Sequence, residues 1–246
     1  EGQTILNKAA QEPEIIDLAN MLNKMGAKIT GAGSECITIE GVNSLQGCSY
    51  RVMPDRIETG TFLIAAAITR SIISISPIET KYLTEVINKL EMCGCKFEHD
   101  KNYLKITPNK ILNAVNITTM PFPGFPTDLQ APFMALMTTA KGTSIIKETV
   151  FENRMHHVKE LNRMGAKIFV KNNIATVVGV EKLNGSAVIG NDLRATAALA
   201  LAGLSANGRT IIQGLDHLER GYEDFSSKLK DIGAEIVNQK QKIKIC

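Results

Sequence analysis

A glycine-terminated phrase recurs four times in these 246 residues, and it constrains the fold more than any other property of the chain. It reads MLNKMGAKI at 21–29, KLEMCGCKF at 89–97, ELNRMGAKI at 160–168 and KLKDIGAEI at 228–236. Its glycines, Gly26, Gly94, Gly165 and Gly233, are 68, 71 and 68 residues apart. An apolar stripe of helical period precedes each one, such as Ile15, Leu18, Ala19 and Leu22, or Leu83, Val86, Ile87 and Leu90. A strand-like run follows each. A glycine between the two fits a helix C-terminus, where left-handed backbone swings the chain into a strand.

A second phrase recurs three times: DRIETGTFLIAAAIT from Asp55, DLQAPFMALMTTA from Asp128 and DLRATAALALAGLSA from Asp192. Each sets an aspartate at an expected N-cap, then small and apolar residues. β-rich runs come next, SIISISPI (71–78), TSIIKETV (143–150) and RTIIQGL (209–215), with later strands such as LKITP (104–108) and ATVVGV (175–180). The predicted unit is helix, strand, helix and two or three strands in about seventy residues. Residues 1–53 hold the second part of such a unit without its Asp-led helix, so the chain is expected to start partway through one. Mixed crossovers and hairpins imply α/β architecture with small sheets covered by helices. The divergence of the units favours closed packing around a shared helical core over a stacked solenoid.

With 28 basic against 25 acidic residues, the net charge of +3 is too small to suggest a nucleic-acid partner. The basic residues Lys240, Lys242 and Lys244 alternate with Gln241 and Ile243, as on an exposed edge strand. The richest apolar stretch, Phe62 to Ile68, is too short to span a bilayer, which argues against a membrane protein. The cysteines Cys36, Cys48, Cys93, Cys95 and Cys246 form no metal framework and suggest reduced thiols. His156 and His157 are adjacent, so a helix would splay them, and neither is expected to be a ligand.

Charged clusters fall at the joints between strand and helix: FPTD (125–128), FENR (151–154), NDLR (191–194) and HLERGYE (217–223). Arg154, Arg194 and Arg220 occupy related joints, where three planar guanidinium groups could gather around a phosphate or carboxylate. Helix N-termini at the same joints would add N–H donors. Asp128 could serve as a general base beside a substrate hydroxyl. The competing roles are plain: an aspartate at a helix start caps it, and an arginine at a joint pairs at the surface.

The phrases NKAAQEPEIIDLANMLNKMGAKITGAG, YRVMPDRIETGTFLIAAAIT, FPTDLQAPF, ETVFENRMHHVKELNRMGAKI, NDLRATAALALAGL and DHLERGYEDFSSKLKDIGAEI resemble, in order, the enolpyruvyl transferases that act on UDP-N-acetylglucosamine. The resemblance runs along the whole chain. It implies an inside-out α/β barrel, with small sheets around buried helices. Residues 1–53 would be the last unit of an N-terminal domain and 54–246 a C-terminal domain of three units. The implied reaction moves the enolpyruvyl group of phosphoenolpyruvate to the sugar 3′-hydroxyl and releases phosphate, a step of peptidoglycan synthesis. The sister acceptor shikimate-3-phosphate is disfavoured by FENR and DRIETGTF.

By that resemblance Asp128 is the base at the hydroxyl, and Asp192 handles the proton at the methylene carbon. Arg154, Arg194 and Arg220 bind phosphoenolpyruvate or its phosphate, with Arg220 in a catalytic role. Thr127 and Val150 line the nucleotide-sugar site, Glu12 lies on its sugar side, and Arg56 sits near the hinge. No cofactor or metal is implied. The partners are the two substrates and an N-terminal portion of the same enzyme. A monomer is expected, in the cytoplasm or, for a plant or algal source, the plastid. Gln11 and the pair Met155-His156 depart from the family pattern. The family's cysteine loop and N-terminal Lys-Asn pair find no match, so this chain by itself is expected to be inactive, or to be a binding remnant.

Overall fold

A computed structural model describes residues 2–101 and 103–237. The first unit comprises β1 (Gln3–Asn7), α1 (Pro13–Lys24), β2 (Lys28–Thr30) and β3 (Cys36–Glu40). The second holds α2 (Arg56–Thr69), β4 (Ile73–Ile75), α3 (Thr84–Cys93), β5 (Cys95–His99), β6 (Leu104–Pro108) and β7 (Ile117–Thr118). The third holds α4 (Gln130–Met137), β8 (Thr143–Lys147), α5 (His157–Arg163), β9 (Lys167–Lys171), β10 (Ile174–Val178) and β11 (Ala187–Ile189). The last has α6 (Leu193–Ser205), β12 (Ile211–Gln213) and α7 (Phe225–Asp231).

All four phrase glycines have positive φ, at 103°, 107°, 91° and 103° in chain order. Beyond three of them the next N–H reaches back to a carbonyl five residues earlier: Ala27 to Leu22, Ala166 to Leu161 and Ala234 to Leu229. Asn23 and Asn162 add a clasp that the glycine pattern alone does not convey. Each side-chain amide bonds both backbone groups of the strand residue six positions on, Ile29 and Ile168. After Gly233 the expected strand is missing over 234–237. Lys240, Gln241, Lys242, Ile243, Lys244 and Cys246 lie outside the described residues.

The sheets run β1-β3-β2, β4-β6-β5, β7-β8-β10-β9 and β11-β12. Within a unit the pairing is antiparallel. Between units it is parallel, because β7 pairs with β8 and β11 with β12. The second and third units thus each lend their last strand to the sheet of the next, with α4 or α6 as the crossover, whereas the first unit's sheet stays its own.

Those crossover helices form the centre. Every residue of α4 is buried, and α2, α4 and α6 pack on one another. Their sequences are apolar on all sides, which a helix tolerates only when it has neighbours all round. Alanine and glycine allow the close approach: a Cβ on Gly60 of α2 would overlap the side chain of Leu129. By contrast α1 is amphipathic and buries only Pro13 and Ala19. Arg56 joins it to the start of α2, its Nε meeting Glu14 Oε1 at 2.7 Å, and Asp17 joins it to the segment before α2, accepting from Tyr50 Oη at 2.8 Å. Among the described residues, no helix is long and apolar enough to cross a membrane.

Candidate functional site

Asp55 and Asp192 are N-caps, as expected. Asp55 accepts from the N–H groups of Ile57 and Glu58, and Asp192 from those of Arg194 and Ala195. Asp128 is not a cap, although its phrase looks alike. It lies in a short 3-10 turn, Thr127–Leu129, and α4 starts one step later without a side-chain cap. Its carboxylate is free for other partners, and it has two.

Arg154 Nη2 donates to Asp128 Oδ1 at 2.7 Å, and Arg194 Nη2 donates to Oδ2 at 2.9 Å. Asn153 turns through the left-handed region at φ 56°, in the tight bend just before Arg154. The Arg154 guanidinium lies 4.7 Å from the Phe151 ring centre and also donates to Thr127 Oγ1 at 2.8 Å. Arg194 lies 5.4 Å from the ring centre of Tyr222, whose buried hydroxyl is bonded to Thr61 at 2.8 Å. Each arginine therefore has an aromatic face behind it and one carboxylate between the two.

Burial pushes the Asp128 carboxyl up, but Arg194 and Arg154 outweigh it and hold the group below its ordinary range. Near neutrality it is a paired carboxylate and a weak base. Arg194 stays fully charged, its guanidinium raised against burial by Tyr222 and Asp128.

A cleft of ≈ 610 Å³ opens between α1 and the N-terminal ends of α2 and α6. Asp128 and Arg194 line one side, and Glu12, Glu14 and Arg56 lie at the other. Glu12 Oε2 is buried and unpartnered, an acceptor for a ligand donor. Val150 is exposed in the loop after β8. Of the three arginines expected at one point, two meet there. Arg220 is exposed at the end of a 3-10 helix, Leu215–Arg220, that lengthens the last joint. Its neighbour Gly221 nonetheless abuts Leu193, next to Arg194.

Sequence reasoning missed Glu148, Tyr222 and the burial of His157. For Glu148 a signal existed: Ser144, Ile146 and Glu148 share the inward phase of a period-two run. His157 opens α5 with its Nε2 buried and unpartnered. Burial pushes its imidazole down to about 4, against the partial pull of nearby Asp192.

The neutral imidazole is thus favoured by the fold, and its stabilisation is complete above the ordinary value of 6.5 and lost as pH falls toward about 4. Asp128 contributes its own loss only further down in acid. The urea midpoint is expected to fall between those limits, and His157→Gln should flatten that fall. An equal slope in the variant would remove His157 as the source.

Residues 1–229 match the family described as EPSP synthase (3-phosphoshikimate 1-carboxyvinyltransferase). UDP-N-acetylglucosamine 1-carboxyvinyltransferase 2 of Prochlorococcus marinus is 63% identical over 96% of this chain and 55% of its own length. UDP-N-acetylglucosamine 1-carboxyvinyltransferase of a Nostoc species is 54% identical over 98% of this chain and 54% of its own. The chain thus spans about half the length of the curated relatives it matches. Among solved structures, the enolpyruvyl transferase NikO of Streptomyces tendae aligns with a TM-score of 0.85 at 28% identity, over 96% of this chain and 56% of that one. EPSP synthase of Acinetobacter baumannii aligns at 0.73 and 20% identity, over 97% of this chain and 58% of its own, a likeness of fold alone.

Proposed function

Because the chain belongs to the EPSP synthase family, we propose that it supplies the anion-binding and base-bearing half of an enolpyruvyl transferase whose acceptor is UDP-N-acetylglucosamine. The observation that carries this reading is the Asp128 carboxylate held between Arg154 and Arg194 at the cleft. The acceptor reading is supported by the relatives at 63% and 54% identity, both named as carboxyvinyltransferases for that sugar nucleotide. On this reading residues 54–246 are one domain, an inside-out α/β barrel, and 1–53 are part of another. The reaction is a step of peptidoglycan synthesis between soluble substrates, which suits the cytoplasm.

The chemistry joins the sugar 3′-oxygen to C2 of phosphoenolpyruvate, with a proton added to the methylene carbon. Phosphate then leaves from C2 as the methyl carbon loses a proton, which restores the double bond. Asp128 accepts the hydroxyl proton and Asp192 serves the methylene carbon. Arg154 and Arg194 hold the phosphate or carboxylate, with Arg220 as the third arginine of the reading. Preorganised positive charge is what such a transition state requires. Thr127, Val150 and Glu12 face the sugar nucleotide, with the unpartnered Glu12 oxygen accepting from a sugar donor.

The arginines also control the base. While they pair with Asp128 its basicity is suppressed. A dianion that takes over both guanidinium groups releases the carboxylate, whose affinity for a proton then climbs toward a useful range. Phosphate release from the two substrates tests the function, with the chain alone and mixed with a separately expressed complementary half of a relative. The expected result is release in the mixture only. No release, with the halves shown to associate, would leave a binding remnant.

A further inference from the structure

Glu148 has no role in the chemistry above, yet it is 2% exposed and ends the inward alternation of β8. Its oxygens are filled by four neutral donors. Oε1 accepts from the Thr119 hydroxyl at 2.7 Å and from the N–H groups of Val150 and Phe151 at 2.9 and 3.0 Å. Oε2 accepts from the Thr127 hydroxyl at 2.9 Å. A buried carboxylate is costly unless its acceptors are used in this way. It stands where three segments meet: the end of β7, the turn with Thr127 and Asp128, and the loop that leads to Arg154.

The direction of these bonds is fixed by chemistry. Arg154 Nη1 can only donate, so Thr127 Oγ1 accepts from it and sends its single proton to Glu148. Thr119 Oγ1 likewise accepts from the Thr149 N–H at 2.9 Å and sends its proton to Oε1. Only an acceptor-only group satisfies both threonines. A glutamine would turn an amide N–H₂ on one of them and reverse the relay.

We infer that Glu148 is a positioning residue for anion recognition: through the Thr127 hydroxyl it fixes Arg154, so that Nη2 is presented to Asp128 or to a substrate oxygen that replaces it. The identity of that anion rests on the transferase reading, whereas the relay is a property of the chain without substrate.

The test compares Glu148→Gln, Thr127→Val and Thr127→Ser in the full chain. The Asp128 carboxyl is titrated by carbon-13 NMR, and inorganic phosphate binding is measured. In Glu148→Gln and Thr127→Val the Asp128 midpoint should move up toward the ordinary carboxylate range, because Arg154 is no longer aimed, and phosphate should bind about tenfold more weakly. Thr127→Ser, which keeps the hydroxyl, should keep the wild-type Asp128 midpoint. If Glu148→Gln fails to fold, Thr127→Val against Thr127→Ser decides. A wild-type midpoint in Thr127→Val, or a Ser variant that matches Val, overturns the inference. Should the relay hold while the wild-type mixture releases no phosphate, the transferase reading fails and the relay stands. Should phosphate be released with no effect of these variants on Asp128, the reverse applies.

Discussion

Asp128→Ala is expected to abolish phosphate release in the reconstituted enzyme while it strengthens binding of inorganic phosphate to the chain. The two effects have opposite signs because the proposed reading gives the carboxylate two functions. As the proposed base it would account for about 10²–10⁴-fold in rate, the usual contribution of a positioned proton acceptor. As the resident anion between Arg154 and Arg194 it competes with any ligand for those guanidinium groups. Its removal should tighten phosphate by about tenfold or more, the worth of one charge-assisted contact. The fold should persist, since Arg154 keeps Thr127 and the Phe151 ring, and Arg194 keeps the Tyr222 ring. Calorimetric titration with phosphate separates the outcomes. Unchanged affinity would mean that the arginines are not the anion site, and surviving turnover that Asp128 is not the base.

The second large effect concerns stability. Phe133, in the middle of α4, has no exposed surface and meets the Phe125 ring edge-on with centroids 5.3 Å apart. Phe133→Ala should cost about 3–5 kcal/mol from lost burial and the cavity it leaves. Against a typical stability of about 5–15 kcal/mol that is a large share. The urea midpoint should drop with little change in slope. Ile145→Ala on the outer face of β8 is the control, and it should move the midpoint little. Equal effects at the two positions would contradict the placement of α4 at the centre.

Much of this architecture was legible because backbone geometry demands particular residues. Only glycine is at ease at the positive φ that ends the outer helices, so four glycines mark four helix ends. Helices without a polar face had to be central. Asp128 was the misleading case, and a neighbour held the clue. A regular cap at Asp128 would need the N–H of Pro132 to bond its carbonyl, and proline has none. The helix therefore begins at Gln130, and Asp128 is left outside it. Arg220 was harder. Nothing local distinguishes its joint from the others until the 3-10 helix that lengthens it is seen. The Glu148 relay was obscured for another reason, because its partners at 119 and 127 are remote in sequence and no periodicity links them.

The parallel hand-off of strands between units bears on how the chain matures. β8 is incomplete without β7 from the preceding unit, and Asp128 is incomplete without Arg194, which lies 66 residues further on. Contacts of that separation form late, after loop closure has been met by other means. A ribosome that has delivered Asp128 and Arg154 but not α6 would hold a polypeptide with half its guanidinium pair. Competence to hold an anion would then arrive as one late event in synthesis, set by the docking of the last central helix.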